Sequence, residues 1–250
     1  MTTRYDGIGE GYATRRRSDP ELEACLHAAL GDARSVVNVG AGTGSYEPHD
    51  RRVIAVEPSR VMAAQRPPGN PAVRGKAQAL PLHDQSVDAA MTVLSLHHWH
   101  PDQEAGVREL CRVARNQIAI VTIDARVSAE MWLMAEYLHE VRELDLQIFP
   151  APDDIVQWLD RPAEIEVVQT SRNSPDHNLL SFWAHPERVL DPEARAATSG
   201  FARMTAAVVE RVVHAVRVDL RTGAWDERHG ALRARSHYDA GLRLIRAAFR

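Results

Sequence analysis

The run Val36-Val37-Asn38-Val39-Gly40-Ala41-Gly42-Thr43-Gly44 constrains this chain more than any other stretch. Its β-branched apolar start predicts a buried strand. The three alternating glycines predict that the strand breaks into a tight loop poor in side chains. Glycine accepts positive φ and lets a ligand approach the main chain closely. Thirteen residues past Gly44, a second predicted strand, Arg52-Val53-Ile54-Ala55-Val56, ends on Glu57. A carboxylate there is placed to accept hydrogen bonds from both hydroxyls of a ribose. Loop and acid together describe a nucleoside-binding site.

The spacing narrows the nucleoside. A dinucleotide fold uses G-x-G-x-x-G, its third glycine packing helix on strand and a pyrophosphate lying on the helix N-terminus. Here the pattern is G-x-G-x-G, and the following Ser45-Tyr46-Glu47-Pro48 is poor material for a long phosphate-binding helix. This spacing opposes a nicotinamide enzyme. Downstream stand Ala77-Gln78-Ala79-Leu80-Pro81-Leu82 and Leu96-His97-His98-Trp99. From about Tyr5 to Thr122 the chain resembles the class I S-adenosylmethionine-dependent methyltransferases, in the branch with an "LPF…D…FD…LHH" signature. The resemblance implies a Rossmann-like α/β fold. Its elements would be a mostly parallel seven-stranded sheet, helices on both faces, and a helical lid inserted between the last two strands.

The alternation of elements independently argues for a parallel sheet covered on both faces. Asp19 and Pro20 cap and open a first helix burying Leu22, Cys25, Leu26, Ala29 and Leu30 and stopping at Gly31. Strands are expected at Val36–Val39, Val53–Val56, Ala72–Gly75, Val87–Ser95 and Ile118–Ile123. Between the second and third strands a helix from Ser59 to Gln65 ends at Pro67-Pro68. Pro101 opens another, with Asp102 and Glu104 in its first turn favouring the dipole and Val107, Leu110, Cys111 and Ala114 inward. Past Asp124 the resemblance thins. Helices are expected at Ser128–Leu144 and Asp154–Leu159, a sixth strand at Ile165–Thr170, and a last strand at Gly241–Ala247 that pairs antiparallel at the sheet edge. About seventy residues separate those last two strands, far beyond an ordinary connection, with helical patterns at Pro192–Met204 and Ala206–Leu220. This insertion reads as a lid over about 175–235, or alternatively as an auxiliary bundle for dimerisation. The whole, 1–250, is read as one domain, with a cofactor-binding half to 124 and a substrate-side half from 125.

Composition excludes several classes. A formal net charge of −4 leaves no electrostatic footprint for nucleic acid. Arg15-Arg16-Arg17 is followed at once by Ser18-Asp19-Pro20, which suits local ion pairing. Two cysteines, Cys25 and Cys111, sit on apolar helix stripes as small buried hydrophobes, too few for a disulfide or zinc framework. No run approaches 18 apolar residues and no signal peptide is evident. The expectation is a cytoplasmic protein that binds neither membrane nor nucleic acid, uses no metal, and whose dimerisation stays open.

The resemblance assigns roles to residues. Gly40, Ala41, Gly42 and Gly44 would lie under the cofactor, Glu57 with Pro58 would hold the ribose, and Leu94 ends the fourth strand beside it. Asn38 stands where the family usually has an acid, and its amide would accept from the methionine amino group through water, without the charge. The adenine segment reads Gly75-Lys76-Ala77-Gln78 without the usual acid, so the Ala77 amide and Gln78 side chain stand in. Tyr12 would cover the cofactor and Arg16 pair with its carboxylate. His97, His98 and Asp124, at the ends of strands four and five, are candidate bases. Of the two histidines only one is expected to face inward, since adjacent residues of an extended chain point oppositely. Trp99, Trp132, Tyr137, His177, Phe182, Trp183 and His185 would line a pocket for a flat or hydrophobic acceptor. The reading is methyl transfer from S-adenosylmethionine, leaving S-adenosylhomocysteine, to a small secondary-metabolite acceptor. The alternative is a fold member that binds the cofactor but catalyses a cyclisation or serves as a binding module.

Overall fold

The computed structural model describes residues 17–249. Helix α1 (Pro20–Ala29) starts as the sequence dictates: Asp19 accepts from the amides of Glu21 and Leu22 with Pro20 in the first turn, and Leu22 and Leu26 are buried. Strands β1 (Ser35–Val39) and β2 (Arg52–Val56) follow. Helix α2 (Arg60–Ala64) comes next, capped by Ser59, then β3 (Ala72–Val73) and β4 (Val87–Val93). Helix α3 (Gln103–Val113) runs straight into β5 (Ala114–Ile123), so Ala114, expected on the helix, is already strand. The helix starts two residues after Pro101, with Asp102 at its N-cap.

The sheet order is β3-β2-β1-β4-β5-β9-β6, where β6 is Ala163–Val167 and β9 is Leu242–Ala248. β1 to β5 are mutually parallel, and β9 runs antiparallel to both neighbours. The last strand is therefore internal, and β6 takes the edge. The reason is apolarity: Leu242, Leu244, Ile245 and Ala247 of β9 are buried, whereas β6 carries Glu164 and Glu166 and is largely exposed. Side chains alternate between two cores, as a doubly covered sheet requires. Val36, Met91, Ala119 and Leu244 enter one, while Val37, Ala90, Ile120 and Ile245 enter the other.

The second core is roofed by α3 and by α6 (Pro152–Leu159), through Val107, Leu110, Ile155 and Leu159. Between them in the chain, the expected helix 128–144 is broken into α4 (Ala125–Ser128), a π-helical turn Leu133–Tyr137 and α5 (His139–Ile148). Met131, Trp132, Leu133 and Met134 are all buried, and no single face of a regular α-helix holds four consecutive residues. The π turn, closed by Leu138 N–H to Leu133 C=O at 2.8 Å, supplies the extra rotation. The expected strand at 165–170 ends early. Thr170–Ser171 (β7) instead pairs with His237–Tyr238 (β8) as a separate ribbon.

Helical segments fill the stretch between these two strands. The expected helix 192–204 is split into α7 (Pro192–Ala196) and α8 (Ser199–Ala202) because Thr198 accepts from Phe201 N–H and begins a new cap. α9 (Ala206–Thr222) ends on Gly223 at φ +80°, and α10 (Ala224–His229) follows. Val212, Val216 and Trp225 from these helices join the same core as α1 and the first sheet face. Cys25 and Cys111 are free thiols and only half-buried, and the Cys111 thiol donates to the Leu159 carbonyl at 3.6 Å. Among the described residues no helix is long and apolar enough to cross a membrane.

Candidate active site

Parallel strands expose their carboxyl ends on one side, and loops there form the ligand crevice of open α/β sheets. In this chain the loops after β1, β2 and β4 surround a cavity of about 710 Å³. Gly40, Gly42 and Gly44 have φ of +68°, +52° and +86°, a region that side chains disfavour. The loop is closed on itself and on β2. Gly40 and Ala41 donate to the Val56 carbonyl at 2.9 and 3.2 Å, and Gly44 donates to Ala41 at 2.9 Å. A Cβ on Gly40 would sit 1.8 Å from Ser95 Oγ, so that glycine is also what lets the loop after β4 pack close.

Glu57 is 7% exposed, and its two oxygens accept from Gly42 N–H and Ser59 N–H, both at 2.8 Å. Each carboxylate oxygen has two lone pairs, so a fixed acid still presents acceptors to a diol. A second acid, Glu47, went unread in the sequence. It is 5% exposed and receives Arg66 Nη2 at 2.8 and 2.6 Å and the amides of Asn38 and Asn70, each at 3.0 Å. Arg66 Nη1 also reaches the Gly42 carbonyl at 3.4 Å. The glycine loop is thereby braced by a buried ion pair. Asn38 is left with a buried Oδ1 that has no partner among the described residues. An orphaned buried acceptor is rare in a native interior, and here it belongs to a cavity-lining residue. It fits a cofactor ammonium.

At the other end of this half, Lys76, Ala77 and Gln78 line the cavity with Pro58 and Asp102. Gln78 Nε2 donates to the Trp99 carbonyl at 3.1 Å, so its amide also holds the histidine-bearing turn. Leu94 lines the wall at a left-handed φ of +49°. Leu96–Trp99 is a 3₁₀ helix rather than extended chain. Three residues per turn separate neighbouring side chains by about 120°, and both His97 and His98 line the cavity. This corrects the expectation that one would face away. Their rings lie 3.8 Å apart between centroids, and His97, 8% exposed, stacks on Phe149 at 4.2 Å. Trp99 is in the wall as well.

Other expected residues lie elsewhere. Gly44 shapes the loop without lining the cavity. Asp124 caps α4, its Oδ1 accepting from Arg126 N–H at 3.1 Å, and is not in the cavity wall. Trp132, Tyr137, His177, Phe182, Trp183 and His185 are likewise outside the lining. Trp132 donates Nε1 to the Trp183 carbonyl at 2.9 Å and meets Tyr137 and Trp225 edge-on. Trp183 is fully buried and stacks on Tyr238. Tyr137 bonds Asp219 at 2.6 Å, and burial with that carboxylate raises its phenol pKa. His185 faces the Arg172 carbonyl at 2.8 Å, and burial lowers its pKa. Trp132, Tyr137, Phe182 and Trp183 belong instead to the core packed on the first sheet face. Tyr12 and Arg16 lie outside the described residues.

The far wall comes from segments the sequence reading did not single out. Met134, Leu144, Ile148, Phe149, Leu179 and Leu180 make it apolar, and Asp145 and Arg203 make it charged. Tyr46, just past the glycines, donates to Asp176 Oδ2 at 3.1 Å and accepts from Asp19 N–H at 3.1 Å. One phenol thus joins the loop, α1 and the root of the insertion. Among the described residues no cluster of three or more His, Cys, Asp or Glu is arranged to hold a metal.

Comparison with known proteins agrees with this geometry. Residues 37–121 match the methyltransferase domain family. The chain is similar to a crystal structure from Anabaena variabilis of a candidate methyltransferase of an antibiotic biosynthesis pathway. Identity is 28%, TM-score 0.87, and the match covers 94% of this chain and 99% of that one. A candidate histamine N-methyltransferase from Thermotoga maritima shares the fold at 17% identity and TM-score 0.57, over 98% and 95% of the two chains. So does the geranyl diphosphate C-methyltransferase of Streptomyces coelicolor, crystallised with S-adenosylhomocysteine, at 14% identity and TM-score 0.51, over 92% and 79%. Comparison with the curated proteins returned no match. Residues 37–121 therefore carry a methyltransferase domain, set in a Rossmann-like sheet of the class I methyltransferase fold.

Proposed function

We propose that this chain methylates a small organic acceptor, with a histidine of the Leu96–Trp99 turn taking the acceptor's proton. The observation that carries the reading is that two imidazoles share one cavity with the glycine loop and Glu57. When bound, S-adenosylmethionine supplies an electrophilic methyl group on a sulfonium. Gly40, Ala41 and Gly42 would lie under it, Glu57 and Pro58 would hold its ribose, Ala77 and Gln78 its adenine, and Asn38 Oδ1 its ammonium. Asp102 is a further acid in reach of that compartment. The acceptor would lie against Trp99 and the apolar far wall, where water is excluded and its O–H or N–H bond faces an imidazole. Loss of that proton to the imidazole as the methyl bond forms leaves the methylated acceptor neutral.

A cavity of about 710 Å³ lies inside the usual range of small-molecule sites, about 300–1,000 Å³. The net charge of −4 gives no basic surface for a nucleic-acid acceptor. The similarity to a candidate antibiotic-pathway enzyme over nearly the whole chain favours a secondary-metabolite acceptor. The test is tritium transfer from labelled S-adenosylmethionine to a pool of small phenols, amines and acids, followed by identification of the labelled product. Tight S-adenosylhomocysteine binding with no labelled product from any class would favour cyclisation or a binding role instead.

The cofactor half is tested separately. S-adenosylhomocysteine should bind in the micromolar range, about −8 kcal/mol. Glu57→Ala should weaken it by about 1.5–3 kcal/mol, the worth of hydrogen bonds to a charged group. Calorimetry giving the same affinity in the variant would remove Glu57 from the ribose site.

A further inference from the structure

We propose that Arg203, steadied by Asp145, anchors a carboxylate on the acceptor, so that this enzyme selects small aromatic acids bearing a hydroxyl or amino group; the proposal rests on the methyl-transfer reading of the same cavity. Asp145 comes from α5, and Arg203 from the turn that ends α8. Both line the cavity. Their side chains are 11% and 10% exposed and meet at a single contact, Arg203 Nη2 to Asp145 Oδ1 at 2.8 Å. Arg203 Nε donates to the Ser199 carbonyl at 3.2 Å, and Nη1 is buried with no partner among the described residues.

That arrangement is unlike a self-contained ion pair. Arginine and a carboxylate normally meet as a two-pronged fork that satisfies both groups. Here one prong is made, one guanidinium donor is orphaned, and the second Asp145 oxygen takes no hydrogen bond among the described residues. Burial also draws the Asp145 pKa upward against the pull of Arg203, whereas a guanidinium stays charged throughout. With that one contact made, the guanidinium keeps an unmatched donor among Met134, Leu144, Ile148, Leu179 and Leu180. A buried cation with a free donor is costly unless an anion completes it, and the planar group that matches a guanidinium is a carboxylate.

The placement sets the acceptor's length. Asp145 stands one helical turn before Phe149, whose N–H donates to the Asp145 carbonyl at 2.9 Å, and Phe149 is the ring on which His97 stacks. Four residues of helix span about 6 Å. That is close to the distance across one benzene ring from a carboxylate to a para substituent. An aromatic acid anchored at Arg203 would therefore carry its nucleophile toward the histidines.

The test uses the full chain saturated with S-adenosylhomocysteine and two matched probes, p-hydroxybenzoate and p-hydroxybenzamide. Binding is read by ligand-observed NMR titration. The acid should bind about tenfold or more tightly than the amide, as a charge-assisted contact requires. Arg203→Gln should level the two, and Asp145→Asn should keep the preference. S-adenosylhomocysteine affinity, measured alongside, reports whether each variant is folded. Should R203Q fail that control, the double variant D145N/R203M removes both charges together and must also level the probes. Equal binding in the unmodified protein, binding of neither probe, or a preference surviving the loss of Arg203 overturns the anchor. A preference that depends on Arg203 while no acceptor ever receives label leaves the anchor standing and defeats the methyl-transfer reading instead.

Discussion

Replacing His98 with alanine should lower kcat by about 10²–10⁴, the usual worth of a positioned general base, while S-adenosylhomocysteine affinity stays unchanged. His98 is the better candidate of the pair because His97 is nearly enclosed and its ring is committed to Phe149, whereas His98 is only half-buried in the same wall. The logarithm of kcat/KM should rise with pH as the imidazole sheds its proton and then level. His98→Ala should lose that acid limb. His97→Ala should act differently, removing a stacked ring from the wall and lowering stability together with activity. Single-turnover rates across pH on the three proteins decide it. If both variants turn over at the unmodified rate, proton removal carries no weight, and alignment of an already nucleophilic acceptor supplies the acceleration.

Trp183→Ala should destabilise the protein by about 3–5 kcal/mol, the cost of emptying a large buried aromatic site. Against a total of about 5–15 kcal/mol for a domain, that is a large share of the whole. The indole is fully buried and stacked on Tyr238 at 5.3 Å. Its own Nε1 is buried without a partner among the described residues, so Trp183→Phe should cost much less, because it deletes an unsatisfied donor while keeping most of the volume. Denaturant melts of the two variants give the comparison. A raised acceptor KM with unaltered melting would instead return Trp183 to the acceptor pocket.

The contrast between these two positions shows what the chain displays openly. Val36 to Gly44 and Glu57 were legible because strand period, glycine spacing and acid all lie within about twenty residues. The histidines were legible by place but not by facing, since the 3₁₀ turn that presents both rings leaves no mark in Leu96-His97-His98-Trp99. The aromatics past Asp124 misled, because a tryptophan at helical spacing looks the same whether it lines a pocket or fills a core. Trp132 and Trp183 are 51 residues apart in sequence yet bonded in space. The same distance problem hid the brace from Glu47 to Arg66, 19 residues on, and the pair of Asp145 with Arg203, 58 residues on. The reversed order of the last two strands was decided by which one is apolar on both faces, a comparison between segments rather than a feature of either.

The bracing of the glycine loop bears on the thermodynamics of ligand capture. Fixing one residue's backbone costs about 1–2 kcal/mol in conformational entropy. Left to order on contact, the five residues from Gly40 to Gly44 would therefore consume about 5–10 kcal/mol, as much as micromolar association releases in total. In this fold the Val56 carbonyl, Glu57, and the Glu47–Arg66 pair hold the loop in place through the chain's own bonds. That entropy is lost during folding, so a nucleoside meets a formed cradle and its contact energy is not drawn down by ordering the loop.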